Sequence, residues 1–252
     1  MNALPNPLDF RRRVPGRGAV RAIWWDFCAF LCWSWLKLSF RLRRIHRERV
    51  PRTGPILVIS NHQSFLDPMV NGVTVWDRQF TALARDSLFV GPFGWILRSV
   101  AARPIKREGG DLEAMKAALA ELEAGRVVII YPEGTRSPDG SLQEFKRGVL
   151  LLVKRAKPTI LPMGVEGTFD AWPRGRRLPR LRGRVVCVCG HPISGEELAK
   201  LDGAEALAAL QAAVGKAHDE AKAYRAQWLG GATGANSRTP VESSADASGA
   251  PR

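Results

Sequence analysis

Short apolar runs alternate with longer segments of helical periodicity along most of this chain. Residues 56–60, 80–84, 127–131, 159–165 and 184–189 are mostly apolar stretches five to seven residues long. Such runs are the signature of strands buried on both faces. Pro162, inside the fourth run, marks an edge or a bend, because proline cannot donate to a ladder. Between the runs lie helical patterns. Asp67-Pro68 opens one through about Val75, with Asp67 at the N-cap and Pro68 in the first turn. Residues 111–123 place Leu112, Met115, Leu119 and Leu122 on one face, and Gly125 ends the helix. Residues 87–100 read as helix with loop, 103–107 as a short extended piece, 146–155 as helix, and 196–228 as a long alanine-rich helix. No internal repeat is evident. The alternation predicts an α/β fold: a mixed, largely parallel central sheet flanked by helices, with an N-terminal membrane-associating helical segment. In such sheets, sites gather at the carboxyl ends of strands.

The N-terminal segment departs from this pattern. Residues 22–36 are too apolar for an ordinary surface helix and include Trp24, Trp25, Trp33 and Trp35, a residue type suited to the water–lipid boundary. They fall short of the roughly 20 residues that a straight span needs, and they contain Asp26. Charge then sharpens the picture. Through Arg52 there are twelve Lys and Arg against three Asp and Glu, so +9 of the total +14 lies in the first fifth of the chain. Basic residues flank the apolar stretch on both sides, which keeps both flanks on the cytoplasmic face of a membrane. A helix embedded from one side, or a re-entrant pair with residues 38–42, fits better than a single span. The competing reading is a core helix with its tryptophans turned inward. The expected organisation is a basic, Trp-rich membrane segment over 1–49, a catalytic domain over 50–228 and a disordered tail over 229–252, whose Gly/Ala/Ser composition has too little apolar surface to fold.

A basic chain attracts nucleic acid or anionic lipid. Arg174, Arg176, Arg177, Arg180, Arg182 and Arg184 follow one another without an acid between them. Aromatic residues do not interleave the run as stacking platforms for nucleic acid, so anionic lipid headgroups or the phosphates of a coenzyme are its expected partners, with a solvated basic loop as the competing reading. For the protein as a whole an anionic membrane surface is expected, not nucleic acid. Cys28/Cys32 and Cys187/Cys189 lack the spacing of a zinc knuckle and read as ordinary buried thiols in a reducing compartment. No metal is expected. His46 and His218 are expected on the surface, and His191 is expected to be structural.

The candidate chemistry sits after two of the strands. His62 leaves the run 56–60, and Asp67 follows five residues later. On one continuous helix that spacing separates the side chains by about 140°. If residues 63–66 form a turn, the carboxylate can reach one ring nitrogen and leave the other to take a proton from a substrate hydroxyl. A helix cap beside a strand-end histidine is the competing reading of the same residues. No G-x-S-x-G elbow supplies a protein nucleophile. The second loop, Pro132-Glu133-Gly134-Thr135-Arg136-Ser137, offers a glycine for close approach, a hydroxyl donor and a guanidinium fork, equipment that suits a phosphate. Arg107 ends another extended segment and supplies a second fork.

Taken together, Asn61-His62-x4-Asp67 and Tyr131 through Ser137 resemble the glycerolipid acyltransferase superfamily, specifically the 1-acyl-glycerol-3-phosphate acyltransferases. Ile105-Lys106-Arg107 matches the end of that family's second block, and Ile160-Leu161-Pro162 matches its fourth. The resemblance covers roughly residues 50–195. It implies that His62, oriented by Asp67, deprotonates the acceptor hydroxyl. It implies that Arg107, Glu133, Gly134, Thr135 and Arg136 bind the glycerol-phosphate of a lysophospholipid acceptor, 1-acyl-glycerol-3-phosphate first, giving phosphatidate, and that acyl-CoA or acyl carrier protein donates the acyl group, with no cofactor. Lys146 and Gly148 are further candidates for contact with phosphate or coenzyme A. Ala101 and Pro104 stand where the family's second block has glycine and an aromatic, and Tyr131 stands for phenylalanine in the third. The second-block departures bear on the acceptor rather than on catalysis. Another lysolipid acceptor, such as a lyso-ornithine lipid, and a non-enzymatic basic membrane-binding protein are the alternatives.

Overall fold

The computed structural model describes residues 18–100, 102–105 and 110–233. Seven strands form one sheet in the order β1-β7-β6-β2-β5-β3-β4. They are β1 (Arg43–Ile45), β2 (Ile56–Ser60), β3 (Phe80–Arg85), β4 (Arg103–Ile105), β5 (Val127–Ile130), β6 (Thr159–Glu166) and β7 (Val186–Cys189). Every neighbouring pair is parallel except β6 with β7. The sheet is therefore mixed and largely parallel, as the alternation of runs predicts. The helices are α1 (Ala19–Phe40), α2 (Asp67–Thr74), α3 (Gly91–Ser99), α4 (Gly110–Glu123), α5 (Val149–Ala156), α6 (Thr168–Ala171), α7 (Gly195–Lys200) and α8 (Gly203–Thr233).

Strand β2 is the centre of the molecule, buried along its whole length. Its side chains alternate between two cores. Ile56 and Val58 face α1 and α2, among Leu36, Phe40, Val70 and Val73. Leu57 and Ile59 face α4, α5 and α8, among Leu122, Leu152, Val153 and Leu210. That period of two across one strand makes a three-layer α/β/α stack. Strand β6 also lies inside the sheet, so Pro162 is not on an edge. Pairing with β7 runs as Met163↔Cys189 on one side of the proline, and the isolated bridge Ile160↔Ile193 on the other is displaced by one residue. The proline sits at this bulge, where only its carbonyl is needed, accepting from Gly190 N–H at 2.8 Å.

The N-terminal segment joins the fold more closely than its composition suggests. Helix α1 continues to Phe40 and ends at Arg41 in the left-handed region (φ 47°), and the chain then enters the sheet as β1. There is no second arm of a re-entrant pair, and the sheet begins before residue 50. Ala22, Trp25, Leu36 and Phe40 are buried, while Ile23, Phe27, Phe30, Leu31 and Leu38 are exposed. The helix thus packs one face and bares another. No described helix is long and apolar enough to cross a membrane. Several arginines of this basic segment bond to carbonyls of the fold. Arg44 donates to Val73 O at 2.7 Å, Arg47 to Thr74 O at 3.1 Å and Arg49 to Cys189 O at 3.0 Å. At the other end, α8 runs past residue 228 to Thr233, and the rest of the expected tail lies outside the described residues.

Candidate active site

Three adjacent parallel strands, β6, β2 and β5, send their carboxyl ends to one place. The side chain of Asn61, just past β2, extends the pairing: its Oδ1 accepts from Val165 N–H at 2.8 Å and its Nδ2 donates to Val165 O at 2.9 Å. The chain then breaks into a turn over residues 62–66 before α2 begins. Asp67 is the first helical residue rather than the N-cap, and Leu66 holds the cap position. Its carboxylate points back over the turn. Oδ2 accepts from Gln63 N–H and Ser64 N–H at 2.6 Å each, and meets His62 Nδ1 at 2.9 Å. Oδ1 accepts from the Thr168 hydroxyl at 2.6 Å. Asp67 therefore organises the turn that brings His62 to it, and it caps no amide of its own helix.

This arrangement settles the imidazole tautomer on chemical grounds. An oxygen that already accepts two backbone N–H groups accepts from Nδ1 as well, so Nδ1 carries hydrogen. The lone pair is then on Nε2. The His62 side chain is 19% exposed and Asp67 is fully buried, so the pair has one wet side. The imidazole stacks on Tyr131 with centroids 4.0 Å apart and planes 22° from parallel. Asn71 Nδ2 donates to the Tyr131 hydroxyl at 3.2 Å, and burial pushes that phenol well above its ordinary pKa. Burial also pushes the thiols of Cys32 and Cys189 up to about 12, which leaves them inert as nucleophiles.

The loop after β5 grips His62 from behind. Glu133 Oε1 accepts from His62 N–H at 2.6 Å, its Oε2 accepts from Gln143 N–H at 3.1 Å, and Ser137 N–H donates to His62 O at 2.7 Å. Glu133, expected at the acceptor site, is buried, and its carboxylate is held by these two amides. Gly134 and Thr135 are exposed, and Arg136 is half-buried. Gly134 has φ +71°, a backbone conformation that requires glycine, and a Cβ there would also displace the end of the Lys146 side chain, whose Cε and Nζ lie 2.7 Å away. The Arg136 guanidinium lies 3.5 Å from the centroid of Phe65, which in turn meets Trp172 at 5.2 Å. Stacking fixes the plane of the guanidinium fork. Arg107 lies outside the described residues. An open hollow beside Gln63 is bordered by Asp139, Glu166 and Asp170 against the single cation Lys222, a lining that does not suit a phosphate.

Glu133 carries a pH signature. Burial, partly offset by the two amides and reinforced by the charge of Asp67, raises it from the ordinary 4.5 to about 7. The folded protein therefore holds this proton more tightly than the unfolded chain. Its contribution to stability is fully present below the unfolded value and is lost as pH rises through the folded one. Wild type is expected to lose stability relative to Glu133→Gln between about pH 5 and about pH 8. Paired thermal melts check this, and a constant difference across the range contradicts it.

Sequence reasoning missed Thr168, Gln143 and the packing of Tyr131. For Thr168 a signal was present: it follows the third of the strands whose carboxyl ends converge here. His218, expected on the surface, is buried with Nε2 3.1 Å from Glu166 Oε2. Helix α8 lies so close to β6 that a Cβ on Gly164 would fall 2.2 Å from the carbonyl carbon of Ala217.

With this geometry in hand, comparison with known proteins is informative. The acyltransferase family model matches residues 41–166. The chain is 28% identical over 179 residues to a chloroplastic 1-acyl-sn-glycerol-3-phosphate acyltransferase of Arabidopsis thaliana, covering 68% of this chain and 50% of that protein. It is 25% identical over 191 residues to the 1-acyl-sn-glycerol-3-phosphate acyltransferase of Bacillus subtilis, covering 75% of this chain and 92% of that protein. The chain thus spans about half the length of the plant relative and nearly all of the bacterial one. The crystal structure of the 1-acyl-sn-glycerophosphate acyltransferase of Thermotoga maritima superposes with a TM-score of 0.71 at 23% identity, covering 85% of this chain and 86% of that one. At that identity the likeness establishes the fold.

Proposed function

The chain belongs to the acyltransferase family, and we propose that it transfers a fatty acyl group from acyl-CoA or acyl carrier protein to the free hydroxyl of 1-acyl-sn-glycerol-3-phosphate, giving phosphatidate. The observation that carries this reading is the His62–Asp67 contact at 2.9 Å, with the ring's other nitrogen as the base. In the proposed reaction Nε2 takes the proton of the acceptor hydroxyl as its oxygen attacks the thioester carbonyl. A C–O bond forms and the C–S bond breaks. The departing thiolate takes the proton back from the imidazolium, which the Asp67 carboxylate has stabilised meanwhile. No covalent acyl-enzyme is needed.

The acceptor's phosphate is assigned to Arg136, with Thr135 and the Gly134 backbone beside it and Arg107 as a second fork. Glu133 acts from behind, fixing the backbone of His62. Because a stacked, bidentate guanidinium is not replaced by an ammonium, Arg136→Lys is expected to raise KM for lysophosphatidate about tenfold. An unchanged KM would remove Arg136 from the phosphate site. The acceptor itself is tested by offering acyl-CoA with a panel of lysolipids and identifying products by mass spectrometry. Turnover of lysophosphatidate above the others is expected. Preference for a phosphate-free lysolipid would overturn the choice, and Ala101 and Pro104 in the second block are the reason to include such lipids.

We assign membrane association to the bared face of α1. Ile23, Phe27, Phe30 and Leu31 lie within three turns and are each about half exposed or more. Such a face suits a helix lying in the interface.

A further inference from the structure

We propose that the loop between α6 and β7, residues 172–185, is a second membrane-contact element that seats the mouth of the active site on an anionic bilayer. Leu178 and Leu181 in it are 74% and 61% exposed. Around them Arg174, Arg177, Arg180 and Arg182 are exposed, and none pairs with a carboxylate among the described residues. Arg44, Arg47, Arg49 and Arg225, by contrast, find carbonyls or carboxylates. Exposed leucines set among unpaired arginines match the two layers of an anionic bilayer surface. The side chains enter the acyl region and the guanidiniums meet headgroup phosphates.

The leucines are presented by a built turn. Trp172 Nε1 donates to Arg176 O at 2.8 Å, Arg176 Nε donates to Leu178 O at 3.0 Å, and Arg180 N–H donates to Ala171 O at 2.8 Å. Both ends of the loop touch elements already discussed. At its start the Ser64 hydroxyl donates to Trp172 O at 2.8 Å, and the Trp172 ring meets Phe65, over which Arg136 lies. At its finish Val185 N–H donates to Phe40 O at 3.1 Å, at the end of α1, two residues past the exposed Leu38. The loop therefore bridges the membrane helix and the acceptor side of the catalytic turn. An acceptor lipid leaving the bilayer there meets Arg136 and His62 without crossing open water. The six arginines include two with internal duties: Arg176 holds the turn, and Arg184 donates to Trp228 O at 2.7 Å. The remaining four are available for headgroups.

The inference extends the membrane reading above, and its test separates the two because binding is read without turnover. Full-length protein is sedimented with sucrose-loaded vesicles of phosphatidylcholine, with and without phosphatidylglycerol. The proteins compared are wild type, Leu178→Ser/Leu181→Ser, Arg174→Gln/Arg177→Gln/Arg180→Gln/Arg182→Gln, and the α1 variant Phe27→Ser/Phe30→Ser/Leu31→Ser. Each loop variant is expected to melt like wild type and to bind phosphatidylglycerol vesicles about tenfold more weakly. The arginine variant should also lose the preference for phosphatidylglycerol. Wild-type binding by both loop variants, with loss only in the α1 variant, overturns the loop proposal and leaves α1 as the contact. A raised KM for acyl-CoA with vesicle binding unchanged also overturns it, and gives the arginines to the coenzyme's phosphates. Absence of vesicle binding by wild type overturns the membrane reading itself.

Discussion

His62→Ala is expected to lower acyl transfer by about 10²–10⁴-fold, the range over which a positioned general base contributes. The reasoning is local. Nε2 carries the lone pair at the wet side of the pair, and no other described group combines an open basic nitrogen with a buried carboxylate partner. The fold should survive the change. The Asp67 carboxylate keeps its bonds to Gln63, Ser64 and Thr168, and the His62 backbone keeps Glu133 and Ser137. What is lost is one side-chain hydrogen bond and the stack on Tyr131, a cost of about 1 kcal/mol in stability. Thiol release from acyl-CoA in the presence of lysophosphatidate reads the rate, and a thermal melt reads the fold. Loss of turnover with an intact melt is the expected pair of results. Equal turnover in the two proteins removes His62 from the chemistry.

The second large effect belongs to Asp67→Asn. An asparagine of the same shape can leave its oxygen where Oδ2 stands, accepting from Gln63, Ser64 and His62, and turn its NH₂ to the Thr168 hydroxyl, which can accept as well as donate. The turn is then satisfied, but the charge that stabilises the imidazolium is gone. The expected outcome is a fall in kcat of about 10²-fold or more with little change in KM and near-wild-type stability. Asp67→Ala is a different experiment. It strands two backbone amides and a hydroxyl in a buried turn, at a cost of about 1–3 kcal/mol for each unsatisfied group. A kcat for Asp67→Asn close to wild type shows that the carboxylate's role is only to shape the turn.

Much of the frame was legible because buried parallel strands announce themselves. Residues 56–60 were read with the bounds that β2 has, and β5 and β6 were read to within a residue. Strand β1 was not read. Arg43–Ile45 is a three-residue, half-exposed edge strand with no apolar alternation to betray it, and only pairing with β7 defines it. Pro162 misled for a related reason. Proline argues against an interior strand unless the partner bulges, and the bulge lies just after β7, between Cys189 and Ile193, far along the chain. In α1 the two competing readings each describe one face, since sequence hydrophobicity does not say which apolar residues find protein and which remain bare.

The site was legible where its residues are adjacent in sequence and opaque where the fold brings them in. His62 and Asp67 could be paired on the assumption of a turn. That Asp67 itself builds the turn, by collecting the amides of Gln63 and Ser64, needed coordinates. Glu133 and Arg136 share one loop, yet Glu133 is buried against the His62 backbone while Arg136 stacks, half-buried, on Phe65, and composition does not reveal direction. Thr168 lies 101 residues from Asp67 and reaches it only because β6 runs parallel to β2. His218 is buried because Gly164 lets α8 approach β6, a long-range fit that its own helix does not disclose.

One product analysis bears on all of this at once. Purified protein is incubated with acyl-CoA and 1-acyl-sn-glycerol-3-phosphate in phosphatidylglycerol-containing vesicles, and both free coenzyme A and the lipid product are quantified by mass spectrometry, for wild type and for His62→Ala. The predicted result is equimolar coenzyme A and phosphatidate from wild type, and neither from the variant above the uncatalysed rate. Coenzyme A released without phosphatidate, or phosphatidate formed equally by the two proteins, contradicts base-assisted acyl transfer by His62.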